Sequence, residues 1–223
     1  MNQCNAASGQ STIREDKGIT SRVWQRMVKR LLDLLVTVVL LVLVAPLWLL
    51  IFIGIRLDSP GPALFRQTRV GLGGKLYKVF KFRTMIPNAD SLMQSKLAEL
   101  QEIENFVFQV KDDPRITRSG KILRKTSLDE LPQLLNILIG NMSLVGPRPE
   151  VPEIVNLYTP EQAQRLSVPP GVTGLAQING RSELTLGETI AYDLEYIQKW
   201  SLGLDIKILW NTVFVVITGK GAY

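Results

Sequence analysis

Between Leu34 and Ile55 the chain runs for 22 residues without a charge, LLVTVVLLVLVAPLWLLIFIGI, and no other segment limits its fold as much. As a straight helix this run is ~33 Å long, enough for a hydrocarbon core of ~30 Å. A single transmembrane span is therefore one reading. Two observations favour another. Pro46 sits inside the run and removes a helical hydrogen bond, which places a kink at Ala45-Pro46. Both flanks are also basic, with Arg22, Arg26, Lys29 and Arg30 before the run and Arg56, Arg66, Arg69 and Lys75 after it. Positive residues prefer the cytoplasmic side, so a crossing would push one basic flank outward. A re-entrant helix that bends at Ala45-Pro46 keeps both flanks on one side, with arms of ~18 and ~14 Å that are each too short to cross. The run starts late, is long and lacks a small-x-small cleavage site, which argues against a signal peptide.

The remainder reads as a mainly helical α+β domain. Residues 1–20 are polar and expected to be disordered, 21–58 form a basic amphipathic lead-in and the membrane helix, and 59–223 form the rest. ALFRQTRVG and KLYKVFKFRTM alternate like strands around Gly71-Leu72-Gly73-Gly74, which predicts a β-hairpin. That glycine cluster has neither G-x-G-x-x-G nor the P-loop Lys-Ser/Thr, so a turn is the better reading. Helices are expected over 88–110, 116–125, 127–139, 159–166 and 186–200. The apolar tail 204–217 reads as core or as an interfacial helix.

The charge is +6, from 26 Lys+Arg against 20 Asp+Glu, which suits nucleic acid, an anionic membrane surface or phosphorylated substrates. Histidine is absent, so imidazole bases and His-ligated zinc are excluded, and the single Cys4 excludes an internal disulfide. Chemistry must then rest on carboxylates, lysine, arginine and hydroxyls. Asp129-Glu130 is the outstanding pair. Pro132 is tolerated only in a first helical turn, so the pair belongs at a helix N-terminus. There it can be a cap, with Asp129 as N-cap or Ser127 and Glu130 as a capping box. It can also be a reactive centre, because Arg124, Arg148, Lys81 and Arg83 supply phosphate-binding cations in the same chain. An Asp in that setting could attack a phosphoryl group, and its neighbour could hold Mg²⁺ on the substrate phosphates.

The blocks DDPRITRSGKILRKTSLDELPQLLNILIGNMSLVGPRPE and PPGVTGLAQINGR, with FRQTRVG and FKFRTM upstream and YDLEYIQKWSLGLDIKIL downstream, resemble the bacterial sugar transferase family, the monotopic phosphoglycosyl transferases, over roughly residues 29–217. The resemblance implies a re-entrant helix, interfacial amphipathic helices and a cytoplasmic catalytic domain with a helix-associated β-hairpin, at the bacterial inner membrane. It implies transfer of a sugar 1-phosphate from a UDP-sugar to polyprenyl phosphate with release of UMP, opening the assembly of a surface polysaccharide or glycoconjugate. Carried over by position, Asp129 matches the nucleophile and Glu130 its Mg²⁺-associated neighbour. Arg124 and Arg148 match phosphate-holding arginines framed by Pro147 and Pro149, and Lys81 and Arg83 match a basic strand beside the site. Ala45-Pro46 stands where many relatives have Ser-Pro, so the bend lacks a hydroxyl for the freed carbonyls. The chain resembles the short, catalytic-core form.

Two rival functions are open. A membrane-anchored nucleic-acid module would need exposed aromatics among its basic residues, and aromatics make up only 7% of the chain, so no nucleic acid is expected. A non-catalytic scaffold of glycan assembly would have no use for the acids. Partners are then a UDP-sugar, polyprenyl phosphate and membrane lipids, with a homodimer left open. The transferred sugar is not encoded in any motif, although Gly171 to Arg181 is the segment placed to read it.

Overall fold

A computed structural model describes residues 15–87, 89, 102–106 and 113–219, with the side chains of 15–22 left out. The first element, α1 (Glu15–Asp58), joins the lead-in and the apolar run in one helix that passes through Pro46 without an interruption in its helical assignment. It begins inside the segment expected to be disordered; residues 1–14 and most of the helix expected over 88–110 lie outside the described residues.

One stripe of α1 is packed and the opposite stripe is bare. Val36, Leu40, Leu41 and Val44 lie against a core of Leu134, Ile137, Met142, Val145, Tyr196 and Ile208. Leu47, Trp48, Ile51 and Ile55 lie against Ala63, Phe82 and Leu123. These positions recur every three to four residues, which is one face of a helix. On the other face Leu35, Val38, Val39, Val42, Leu43, Leu49, Leu50 and Leu57 are all exposed. The helix is long and apolar enough to cross a membrane, with mean hydropathy 3.0 in its most apolar stretch and only 11% of that stretch buried.

The expected hairpin is present. Strands β1 (Leu64–Val70) and β2 (Leu76–Phe82) pair antiparallel from Leu64 opposite Phe82 to Val70 opposite Leu76, joined by a 3₁₀ turn at Leu72–Gly74. Both hairpin edges make bonds to the rest of the chain. On the β2 side the buried Asn136 accepts from the Phe80 amide at 2.9 Å and donates to the Lys78 carbonyl at 2.7 Å. On the β1 side the Val70 amide donates to the Glu150 carbonyl at 2.9 Å.

Helix α2 (Arg118–Thr126) starts at Thr117, whose hydroxyl accepts from the Gly120 amide. A Cβ at Gly120 would come within 2.1 Å of the Thr84 carbonyl oxygen, so glycine is what lets α2 seat on the end of the hairpin. The single helix expected over 127–139 is instead a left-handed Ser127, a 3₁₀ turn at Leu128–Glu130, and α3 (Gln133–Ile139). Pro132 terminates the turn and opens α3, as its missing N–H and fixed φ favour.

A parallel pair that sequence periodicity did not indicate follows, β3 (Ser143–Val145) with β4 (Gly171–Thr173). Between them lie the short α4 (Pro152–Val155) and a 3₁₀ stretch at Gln162–Ser167, where an α-helix over 159–166 was expected. The chain continues through α5 (Leu175–Asn179), a 3₁₀ turn at Arg181–Glu183, α6 (Leu186–Lys199) and α7 (Leu202–Thr218). Helix α6 opens with a full capping box between Thr185 and Glu188. Helix α7 buries Asp205 and Ile208 and exposes Ile206, Trp210, Val213, Phe214 and Ile217, a second bare apolar face beside that of α1.

A buried polar network fastens the start of the apolar run. Lys29 Nζ donates to Asp205 at 2.7 Å and to the Val145 carbonyl at 3.1 Å, and Tyr196 donates to the other Asp205 oxygen at 2.8 Å. Asp33 accepts from the Ser143 hydroxyl at 2.7 Å. The far end is fastened too, since Asp58 accepts from the amide and hydroxyl of Ser119 at 2.9 and 2.8 Å.

Candidate active site

The Leu128–Glu130 turn is held from below by its apolar flanks. Leu128 and Leu131 pack into the cluster formed by Ile51, Ile55, Phe82 and Leu123, which seats the acid turn against the second half of the apolar helix. Neither cap expected from sequence is made. Ser127 forms no capping hydrogen bond with its side chain, and its left-handed backbone (φ 59°) closes α2.

The two acids have opposite surroundings. Glu130 Oε1 accepts from Lys81 Nζ at 2.9 Å and from Arg148 Nη2 at 2.8 Å. Burial pushes the Glu130 carboxyl up, but Arg148 and Lys81 outweigh it and hold the group far below the usual carboxylate range. In return Glu130 raises the Arg148 guanidinium above its ordinary value, while burial lowers Lys81 against the pull of the same carboxylate. Asp129 accepts no hydrogen bond among the described residues. Burial, then the adjacent Glu130 charge, push its carboxyl up to about 6 against the opposing pull of Lys81, Arg124 and Arg148. The pair is thus split into a fixed anion and a carboxylate free to react.

Arg124 donates through Nε to the Thr84 hydroxyl at 3.0 Å and lies within the field of Asp129, so it belongs to the cluster. Arg83 does not join it. The strand ends at Phe82, and the Arg83 guanidinium turns to the Ser59 carbonyl and hydroxyl and the Pro60 carbonyl at 2.6–2.8 Å, tying the end of the membrane helix to the hairpin. Pro147 and Pro149 do frame Arg148. The Pro147 carbonyl accepts from the Gly171 amide at 2.9 Å and the Pro149 carbonyl accepts from Arg69 at 3.1 Å. Ala45 and Pro46 lie inside α1, apart from this cluster in sequence.

Residues that sequence reading missed hold the turn in place. Arg69 bridges the Pro149 carbonyl, Gln67 and the buried Glu150. Arg165 donates to the Arg148 carbonyl at 3.0 Å and to Asp193, both side chains being almost wholly buried. Tyr158 joins this pair through its hydroxyl and its ring face. Arg181 reaches Ser127 from the far side of the acid turn. Their only sequence signal was a surplus of arginines in segments otherwise patterned for burial.

Among the described residues no group of three or more acid, cysteine or histidine side chains gathers to bind a metal by itself. The donor set nevertheless fits Mg²⁺ on a phosphorylated ligand, because Glu130 Oε2 and the Asp129 carboxylate carry no protein hydrogen bond among the described residues. Magnesium is usually bound by one or two carboxylates together with substrate phosphates and water.

Residues 24–219 match the family model described as bacterial sugar transferase. The UDP-glucose:undecaprenyl-phosphate glucose-1-phosphate transferase of Caulobacter vibrioides is 45% identical over 214 residues, 92% of this chain and 76% of that protein. The exopolysaccharide production protein ExoY of Sinorhizobium fredii is 40% identical, covering 87% of this chain and 88% of its own length. The galactosyl transferase CpsE of Streptococcus agalactiae is 43% identical over 87% of this chain, which spans only 43% of that longer protein. With the family match running from the membrane helix to the last helix, through every residue of the acid turn and its cations, the chain belongs to the bacterial sugar transferase family of enzymes.

Proposed function

We propose that the protein transfers a sugar 1-phosphate from a UDP-sugar to polyprenyl phosphate, releasing UMP, through a covalent intermediate on Asp129. One observation carries this reading. A carboxylate without a hydrogen bond among the described residues, Asp129, stands beside one neutralised by Lys81 and Arg148, in a turn packed directly on the apolar helix. The relatives named above support the substrate classes, since one is named for UDP-glucose and undecaprenyl phosphate and others for galactose or exopolysaccharide.

In the first step an Asp129 oxygen attacks the phosphorus that carries the sugar. The bond from that phosphorus to the bridging oxygen breaks, UMP departs with the electron pair, and a phosphosugar remains on the carboxylate. Arg148, Lys81 and Arg124 neutralise charge on the non-bridging and departing oxygens, the largest contribution expected of protein groups in phosphoryl transfer. In the second step an oxygen of polyprenyl phosphate attacks the same phosphorus, the bond to Asp129 breaks, and the free carboxylate returns with the lipid diphosphosugar as product. Glu130 and Asp129 would hold Mg²⁺, which would supply further neutralisation of the diphosphate.

The helix α1 delivers the lipid substrate. The start of its apolar run and its C-terminal end are bonded to α3 and α2, the helices on either side of the acid turn: Arg30 donates to the Ile137 carbonyl at 2.8 Å and Asp58 accepts from Ser119. That arrangement supports a re-entrant helix at the inner membrane with the site facing the cytoplasm, the bare faces of α1 and α7 lying in lipid. This first membrane step would feed a surface polysaccharide.

The test is UMP release by purified protein with undecaprenyl phosphate across a panel of UDP-sugars, with mass spectrometry of protein incubated without lipid. A phosphosugar adduct on the peptide containing Asp129 is expected. Turnover without any adduct would replace the covalent route with direct transfer.

A further inference from the structure

Two non-glycine residues in the described chain have left-handed backbone, Ser127 (φ 59°) and Arg181 (φ 56°), and they are bonded to each other, Arg181 Nη2 donating to Ser127 Oγ. Such conformations are strained for residues with a side chain and gather at functional sites where the surroundings enforce them. Ser127 is the hinge from α2 into the acid turn, so the bond aims the Arg181 guanidinium at that turn. Its other terminal nitrogen, Nη1, is buried and has no hydrogen-bond partner among the described residues. The guanidinium also feels the charges of Glu130, Arg148 and Asp129, and neither acid hydrogen-bonds to it. A buried, charged donor without an acceptor is costly unless a ligand completes it.

We infer that Arg181 is a phosphate ligand of this site, its Nη1 donating to a non-bridging phosphate oxygen of a substrate. The inference rests on the phosphosugar-transfer reading for its substrates. Phosphate reaches the site from two sources, the nucleotide-sugar diphosphate and the lipid phosphate, and both present the same oxygens. A planar guanidinium fixed by Ser127 suits either one. Together the Ser127 bond and the 3₁₀ turn at Arg181–Glu183 make the end of the Gly171–Arg181 segment a reader of phosphate rather than of sugar.

The informative variant is Arg181→Gly. Glycine adopts the left-handed backbone without strain, so the side chain is removed while folding is preserved or improved, which a thermal melt checks. Arg181→Lys keeps the charge and loses the fork. The two half-reactions are then followed apart: adduct formation with UDP-sugar alone, and transfer from preformed adduct to polyprenyl phosphate. A loss of about tenfold or more in the first assigns Arg181 to the donor phosphates, in the second to the lipid phosphate, with Arg181→Lys intermediate. Wild-type rates in both steps for a folded Arg181→Gly would overturn the inference. If wild-type protein forms no adduct and releases no UMP, the underlying reading fails instead. Calorimetric binding of UDP and of inorganic pyrophosphate then decides Arg181: unchanged affinity in the glycine variant counts against it, and weakened affinity supports it.

Discussion

Lys81 and Arg148 donate to the same oxygen, Glu130 Oε1, at 2.9 and 2.8 Å, and leave the neighbouring Asp129 carboxylate without a hydrogen bond among the described residues. Adjacent acids therefore have opposite relations to stability. Glu130 is the counter-ion of two half-buried cations, and neutralising it leaves both without that partner, which costs on the order of 1–3 kcal/mol. Asp129 is held above its ordinary value by burial, so its charge opposes folding at neutral pH. We expect Glu130→Gln to lower the melting temperature markedly and Asp129→Asn to leave it equal or raised, while both abolish transfer, Asp129→Asn by about 10³-fold or more. A destabilised Asp129→Asn would contradict the account.

The pH dependence follows from the same split. Asp129 must be ionised to attack, and its pKa lies at about 6. Adduct formation is expected to fall about tenfold per pH unit below that value and to level off above it. For stability the sign is the reverse. The folded value exceeds the unfolded one, so the protein is free of this penalty below the unfolded value of 3.8 and acquires it as pH rises through about 6. Glu130 behaves oppositely, its contribution being present above its unfolded value of 4.5 and lost only in strong acid. The melting difference between Asp129→Asn and wild type should therefore be fully open above pH 6, shrink as pH falls from 6, and close towards pH 4.

Much of this arrangement was legible in the sequence, for physical reasons that also mark where legibility ends. Alternation in LFRQTRV and LYKVFKF announces a hairpin because one face of each strand is buried, and the apolar run announces α1 because lipid and core both accept leucine and valine. Strands β3 and β4, three residues each, carry no period to detect. Lys81 and Arg83 look equivalent in KFRTM, yet the strand stops at Phe82 and Arg83 leaves for the Ser59–Pro60 turn. The acid turn looked like a helix start because Pro132 permits one; the left-handed Ser127 that prevents it closes α2, its amide donating to the Arg124 and Leu123 carbonyls. Buried ion pairs such as Arg165–Asp193 are contacts between segments, and no local pattern encodes them.

That pair carries a prediction of its own. Arg165 grips the Arg148 carbonyl, so it positions the guanidinium that neutralises Glu130 without touching it. Burial pushes the Asp193 carboxyl up to about 6, and Arg165 opposes that rise. Arg165→Met and Asp193→Leu each leave a buried charge alone, whereas the double variant removes both. We expect each single change to destabilise by on the order of 3 kcal/mol and the double change to cost less than their sum. At a temperature where the double variant is folded, its KM for UDP-sugar should rise because Arg148 has lost its support. An unchanged KM would make the pair structural only.

The two ends of α1 yield the last prediction. Lys29, Arg30 and Asp33 are bonded to Asp205, Ile137 and Ser143, while Asp58 is bonded to Ser119 and the following Ser59 and Pro60 are gripped by Arg83. A helix crossing the bilayer would have to release one of these sets, exposing Asp33 and Asp205, or the Arg83 guanidinium, to surroundings without their partners. Breaking several buried charged contacts costs more than the mild bias that basic flanks alone impose. Met27 and Leu57 are exposed beside these two anchors, outside the hydrogen-bonded set. Met27→Cys and Leu57→Cys, in a Cys4→Ser background, should both resist a membrane-impermeant maleimide added to intact cells and both react in inverted vesicles. Labelling of either one from outside would show that α1 spans.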